Sequence, residues 1–390
     1  MRGIPMKQLA TPWADPETYL VRMRPDHPVL FLSPAVLQET ARRFQAGFPG
    51  LVSYAVKANE RTEVLANLDA AGLTAFDVAS PAEMRAVRAV NAAAVLHYNN
   101  PIRSPAEVST GIDIGVASWA VDHGSELKKL GEVPRSAEMA VRFALPVKGA
   151  AHGFGEKHGA SPDRAVDLLR QVAASGWRPA LSFHPGTQCE DPAAWVAHIT
   201  EAARIAEAAG VRIGRLNVGG GFPAHRAGEA PDLTGIFEAI GRTTARAFPH
   251  HRPDLVCEPG RAMVAEAFTL ATRVKSLRHD GHMVYLNDGI YGGLVDLRDI
   301  GLPGRVRVLG PAGEPRKGGR LPRSVFGPTC DSLDRLPDGL ALPADTQPGD
   351  YVLFEAMGAY SIAMSTGFNG YGVRNVVTVL GLTGHSGEGD

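Results

Sequence analysis

The chain has 390 residues, 44% of them hydrophobic, which is enough to bury a large core and to form two domains. Its 40 Lys and Arg nearly balance 41 Asp and Glu, which excludes the strong global field that draws nucleic acid or an anionic membrane surface. No run reaches the roughly 18 apolar residues needed to span a bilayer, Met1 to Pro28 lacks the apolar core of a signal peptide, and three scattered cysteines (Cys189, Cys257, Cys330) form neither a metal-ligand spacing nor a disulfide framework, so a cytoplasmic protein without a metal is expected.

From about residue 28 to 275, short apolar runs alternate with amphipathic, Ala-rich stretches. The runs are Val52 to Val56, Ala75 to Ala79, Val95 to Asn99, Ile114 to Ser118, Ala140 to Leu145, Ala180 to His184, Arg215 to Gly219 and Asp254 to Glu258. Helical periodicity fills the gaps, as in Pro162 to Ala174 and Ala193 to Ala209. This alternation predicts parallel βα units, and eight of them predict an α/β fold with a closed (β/α)8 TIM-like barrel over residues 28–275. An open doubly wound sheet has the same pattern. Beyond residue 276 the helical period fades and short β-type runs dominate, among them Met283 to Leu286, Val306 to Leu309, Tyr351 to Phe354 and Val376 to Leu380. Residues 276–390 read as a second, all-β domain, joined by residues 1–27 because chain ends often lie near one another. The stretch Gly310 to Arg320 reads as an exposed loop.

A barrel places functional groups at the carboxyl ends of its strands. Lys57, His184, Gly219 to Gly221 and Glu258 fall there, closing the first, sixth, seventh and eighth runs. Lysine at a buried strand end is costly unless paired or chemically used. The functional reading of Lys57 is a Schiff-base lysine with a depressed pKa, and the alternative is a surface lysine just past the strand. The triple glycine offers unobstructed backbone N–H groups for a phosphate, or makes a tight turn. His184 can stack on a flat ring or move a proton, or be a satisfied structural histidine. Glu258 and Arg261 can hold a ring nitrogen and a phosphate, or pair with each other. Ser80-Pro81-Ala82-Glu83 has the form of a capping box, which makes Glu83 structural, and Asp77 ends the second run in a supporting position.

Taken in order, Tyr-Ala-Val-Lys-Ala-Asn, Phe-His-Pro-Gly-Thr, Gly-Gly-Gly-Phe-Pro, Glu-Pro-Gly-Arg, Gly-Pro-Thr-Cys-Asp-Ser and Met-Gly-Ala-Tyr resemble the fold-type III pyridoxal-phosphate decarboxylases, the ornithine, lysine and diaminopimelate group, over about residues 28 to 375. The resemblance implies an alanine racemase-like barrel with a β domain, pyridoxal 5'-phosphate as cofactor, an amino acid as substrate, and a homodimer with shared active sites. It implies that Lys57 carries the cofactor, that His184 stacks on its ring, and that Glu258 keeps the ring nitrogen protonated. Thr187, Gly219, Gly220, Gly221, Gly260, Arg261 and Tyr360 would surround the phosphate, with Asp77 and Arg142 nearby. A carboxylate at the ring nitrogen, in place of the arginine of alanine racemases, favours a strong electron sink and so decarboxylation. Cys330 would deliver the proton to Cα from the partner subunit. Asp331, with Tyr291, Asp296, Asp299 and Phe368, would receive the substrate side chain. Cys330-Asp331-Ser332 and Phe222-Pro223 tilt the resemblance toward the ornithine side, hence toward polyamine biosynthesis. Diaminopimelate or another specialised amino acid is the alternative, kept open by Arg298, and a catalytically inactive regulatory homologue is the non-enzymatic one.

Overall fold

The computed structural model describes residues 11–146 and 157–383. The ends of the expected β domain, 1–10 and 384–390, lie outside the described residues. The chain divides into two compact units. One comprises Leu37–Glu266 and Gly358–Ala363, and the other takes in the described parts of Met1–Val36, Ala267–Met357 and Met364–Asp390.

The first unit is a closed parallel barrel. Its strands are Leu51–Ala55, Ala75–Val78, Val95–Tyr98, Ser118–Val121, Glu138–Arg142, Arg178–Ser182, Arg215–Asn217 and Asp254–Cys257. Leu51 and Val52 pair with Val256 and Cys257 to close the ring, which excludes the open sheet. The helices cover it with one apolar stripe each. Pro162–Ala174 buries Ala165, Val166, Leu168, Leu169 and Val172, positions that the helical period brings onto one face.

Two local readings change. The fourth strand is not Ile114 to Ser118. Ile114 ends the helix Pro105–Ile114, which Gly115 closes with a left-handed φ of 81°, and the strand is Ser118–Val121 with Trp119 fully buried. The capping box at Ser80 is half formed. Ser80 Oγ accepts from Glu83 N–H at 3.3 Å, but the Glu83 carboxylate accepts from Ala79 N–H at 2.7 Å, one residue earlier. The reciprocal box belongs to Ser104 and Glu107.

The second unit is built on Phe268–Arg278. That strand pairs antiparallel with Val29–Leu32, Met283–Leu286 and Tyr351–Glu355. Val306–Leu309 extends one side through Tyr351–Glu355, and Arg320–Phe326 with Leu340–Pro343 extends the other. Asn375–Thr378 lies parallel to Val29–Leu32. Leu20, Phe31, Leu309, Tyr351, Leu353 and Val379 form its core. The Gly310 to Arg320 loop is tied down inside its length, because Arg316 pairs with Asp350 at 2.7 Å and the Gly318 N–H donates to Asp345 at 2.8 Å.

In the barrel jacket Phe222 is 2% exposed and stacks on Trp195 at 5.0 Å between centroids, with Phe44 and Phe237 edge-on at 5.7 and 5.6 Å. The residue after the triple glycine is thus a core anchor. Phe222→Ala is expected to lower stability by about 3–5 kcal/mol, read from denaturant unfolding. An unchanged midpoint would show that the aromatic cluster does not hold the jacket together.

Candidate active site

The barrel unit gathers most of the residues expected from sequence at its strand ends. Lys57 sits in the 3-10 turn Val56–Ala58, directly after the first strand. The turn is fixed by its neighbours. Tyr54 OH donates to Asn59 O at 3.0 Å, Asn59 Nδ2 donates to Gly358 O at 2.9 Å, and Tyr360 N–H donates to Ala58 O at 2.9 Å. Tyr360 has a left-handed φ of 57°, a strained conformation for a residue with a Cβ. The Arg261 guanidinium lies 4.9 Å from the centre of its ring. Gly260 completes this corner, since a Cβ there would touch Ala55 and Ala58 at 3.3 Å and the Tyr360 hydroxyl at 3.5 Å.

Glu258 follows the eighth strand and is held from two sides. Asn99 Nδ2 donates to its Oε1 at 2.5 Å, and Asn217 Nδ2 donates to the same oxygen. Asn217 also accepts from Gly219 N–H at 2.9 Å, and Glu258 N–H donates to Gly219 O at 2.8 Å. The sequence reading misses these two asparagines. A signal for them exists, because both stand at carboxyl ends of barrel strands, where polar groups face the site.

The triple glycine packs too closely against its neighbours to carry side chains. A Cβ on Gly219, at φ 69°, would lie 2.2 Å from Phe183 O, and one on Gly220 would lie 2.6 Å from Glu258 O and 3.1 Å from His184 Nε2. The turn therefore stands against both His184 and Glu258. His184 Nδ1 accepts from Gly186 N–H at 3.2 Å, which leaves the proton on Nε2. Thr187, half-buried, closes the same segment.

Charge is concentrated here. Burial pushes Glu258 up to about 8, aided by Asp77 and opposed by Lys57 and the Asn217 hydrogen bond. Burial likewise raises Asp77, against the pull of Lys57. Burial lowers Lys57, but Asp77, Tyr360 and Glu258 together outweigh it, and its pKa is raised. The expected depressed lysine is thus corrected, because neighbouring carboxylates favour the ammonium more than burial disfavours it. Lys57 and Arg142 both favour the ionised carboxyls, but burial outweighs them at Asp77 and Glu258. Lys57 is exposed to solvent, while its ammonium feels Asp77, Tyr360 and Glu258 strongly enough to outweigh burial. Burial, then Lys57 and Arg142, hold His184 well below its usual range, so the imidazole is neutral. Arg142 ends the fifth strand, lowered by burial and supported by Glu258.

The remaining expected residues belong to the sheet unit. Tyr291 OH donates to Asp331 Oδ2 at 2.5 Å, and its ring lies 5.1 Å from that of Phe368. Asn369 Oδ1 accepts from Cys330 N–H at 3.2 Å. Cys330 is exposed, whereas Cys189 and Cys257 are buried. Asp331 is held below the usual carboxylate range by the Leu333 N–H and the Tyr291 hydroxyl. Asp296 is buried ahead of the short helix Leu297–Ile300, and Asp299 is exposed and bonded to Arg298 at 3.1 Å. A separate cavity of about 430 Å³ is lined by Leu51, Arg215 and Asp254, the first residues of their strands. It opens at the amino-terminal ends, where barrels carry stability rather than chemistry.

The pyridoxal binding domain of the pyridoxal-dependent decarboxylases matches residues 35–265. The chain belongs to this family. It is 31% identical to a decarboxylase of Aspergillus flavus, over 82% of this chain and 77% of that one. It is also 31% identical to a lysine/ornithine decarboxylase of Selenomonas ruminantium, over 82% and 81%. The lysine/ornithine decarboxylase of Vibrio vulnificus complexed with putrescine superposes with a TM-score of 0.79 at 26% identity, covering 93% of this chain and 96% of that one. The protein is a pyridoxal-phosphate-dependent amino-acid decarboxylase. The site fits that cofactor: a solvent-reachable lysine amine, a neutral imidazole, a clamped carboxyl and a glycine turn with bare backbone stand together at the strand ends of one barrel.

The proton on Glu258 gives a testable sign. The folded carboxyl keeps its proton up to about pH 8, and an unfolded one releases it near 4.5. Folding therefore takes up a proton across that window, and the contribution of Glu258 to stability falls as pH rises through it. Glu258→Gln keeps an oxygen for both asparagines and lacks the titration. In cofactor-stripped protein, the stability of the variant relative to wild type is expected to increase steadily from about pH 5 to 8, measured by thermal unfolding. A constant difference would mean that Glu258 is ionised in the folded state throughout.

Proposed function

We propose that the protein decarboxylates a basic amino acid, L-ornithine or L-lysine, to the diamine and carbon dioxide. The observation that carries the reading is the Tyr291–Asp331 pair beside Phe368, a fixed anion next to an aromatic ring. An anionic carboxylate suits the distal ammonium of such a substrate. The lysine/ornithine decarboxylases among the relatives support the same side-chain chemistry. A distal carboxylate, as in diaminopimelate, would call for a cation instead, and Arg298 is already bonded to Asp299.

In this reading Lys57 Nζ holds the cofactor covalently between turnovers. His184 supports the face of its ring, and Glu258, oriented by Asn99 and Asn217, keeps a proton at the ring nitrogen. Thr187, the Gly219–Gly221 turn, Gly260, Arg261 and Tyr360 bind the phosphate, while Asp77 and Arg142 balance charge around Lys57 and Glu258. When bound, pyridoxal phosphate supplies the sink for the electron pair left by departing carbon dioxide. Cys330 Sγ–H gives a proton to Cα. Asp331, Tyr291 and Phe368 receive the substrate side chain, with Asp296 and Asp299 at its margin. The barrel and sheet units are taken as the two domains of a cytoplasmic homodimer, in which each subunit lends Cys330 and Asp331 to the other.

Two variants test the assignment. Lys57→Ala is expected to lose the visible absorbance of lysine-bound cofactor together with turnover, and retention of both would remove Lys57 from its role. Asp331→Asn is expected to weaken use of ornithine and lysine by about tenfold or more, as for a lost charge-assisted contact, with cofactor affinity unchanged. Carbon dioxide release would be followed on ornithine, lysine, arginine and diaminopimelate, and release from diaminopimelate alone would overturn the basic-substrate reading.

A further inference from the structure

Asp334 stands three residues past Asp331 and is 1% exposed. A buried carboxylate must be satisfied by hydrogen bonds, and each of its oxygens serves a different turn. Oδ2 accepts from Thr329 N–H at 3.0 Å and from Thr329 Oγ1 at 2.7 Å. Oδ1 accepts from Ile290 N–H at 3.0 Å. Its backbone adds two more ties, with Gly327 N–H donating to Asp334 O at 2.8 Å and Asp334 N–H donating to Asp331 O at 3.0 Å. Thr329 immediately precedes Cys330, and Ile290 immediately precedes Tyr291. One carboxylate thus fastens the turn bearing Cys330 and Asp331 to the turn bearing Tyr291.

The backbone of both turns packs closely on the carboxylate. A Cβ on Gly289 would lie 2.0 Å from Asp334 Oδ1, and one on Gly327 would lie 2.2 Å from the same oxygen. Both glycines admit the carboxylate by lacking a side chain. Tyr291 and Asp331, bonded to each other, are carried by these two turns, and Tyr291 also meets Phe368 from a third segment, so the tie between the turns bears on how Tyr291 meets Asp331.

We propose that Asp334 is the positioning residue of the substrate-side cluster, setting Cys330 and Asp331 against Tyr291 through its bonds to Thr329 and Ile290. This inference rests on the roles assigned above to Cys330 and Asp331. Its test has a readout independent of turnover, because Cys330 is exposed while Cys189 and Cys257 are buried. Alkylation by iodoacetamide therefore reports on the Cys330 turn in the native holoenzyme.

Asparagine has one acceptor oxygen where aspartate has two, so Asp334→Asn must give up the bond from the backbone N–H of either Thr329 or Ile290. The expected result is an alkylation rate at Cys330 about tenfold faster, the change associated with one lost charge-assisted bond. The same variant should have a lower kcat and a higher KM for the amino acid, with cofactor affinity unchanged. Thr329→Val removes only the hydroxyl bond and should move the alkylation rate in the same direction by about threefold. It decides the matter if Asp334→Asn fails to fold. Alkylation within about twofold of wild type in the variant that folds, less than one lost hydrogen bond implies, would overturn the proposal. Faster alkylation with unchanged kcat and KM would also overturn it, leaving Asp334 a purely structural tie. Cys330→Ala with undiminished turnover would instead strike the catalytic reading, while the alkylation result for Asp334 would stand on its own.

Discussion

The constraint on which the site depends is the confinement of several ionisable groups in one barrel mouth. Lys57, Asp77, Arg142 and Glu258 act on one another's protons there, with burial the largest influence on each. Isolated charges could not be kept in such a place. They are tolerated because opposite charges balance and because hydrogen bonds fix the rest. Asn99 and Asn217 converge on one oxygen of Glu258, so the carboxyl is aimed as well as stabilised. The same asparagine at 217 anchors the glycine turn through Gly219 N–H. Glu258 and the glycine turn are therefore set by one local network.

The lysine shows how context reverses a simple expectation. Burial alone would release its proton and prepare a nucleophile. Two carboxyls and a phenol nearby act the other way and favour the ammonium. His184, by contrast, is held neutral by burial and by the nearby cations.

The sheet unit solves a different problem. Cys330 and Asp331 stand on turns rather than strand ends, and turns need fastening to hold a geometry. Buried carboxylates do this work. Asp334 joins two turns, and Asp288, pushed up to about 7 by burial, accepts from Gly293 N–H at 2.8 Å within the second of them. Glycines at 289, 292 and 327 surround these two side chains because any Cβ would collide with a carboxylate.

Much of this was determined by sequence. Eight apolar runs separated by helical periods specify a barrel, since period and spacing are local properties of the chain. The helices Pro162–Ala174 and Ala193–Ala209 fall where periodicity places them. The strand-end rule also locates Lys57, His184, the triple glycine and Glu258 as one group. Other features were decided only by tertiary structure. Ile114 is apolar enough for a strand, yet the helix before it runs on to Gly115. Phe222 reads in sequence as a marker of substrate and is a packing anchor. The raised proton affinity of Lys57 comes from groups on other strands and turns. The clamp on Glu258 and the bond from Ile290 to Asp334 join residues 41 to 159 positions apart. No local pattern encodes such contacts, because a hydrogen bond or a charge pair depends on distance in space, which the fold alone supplies.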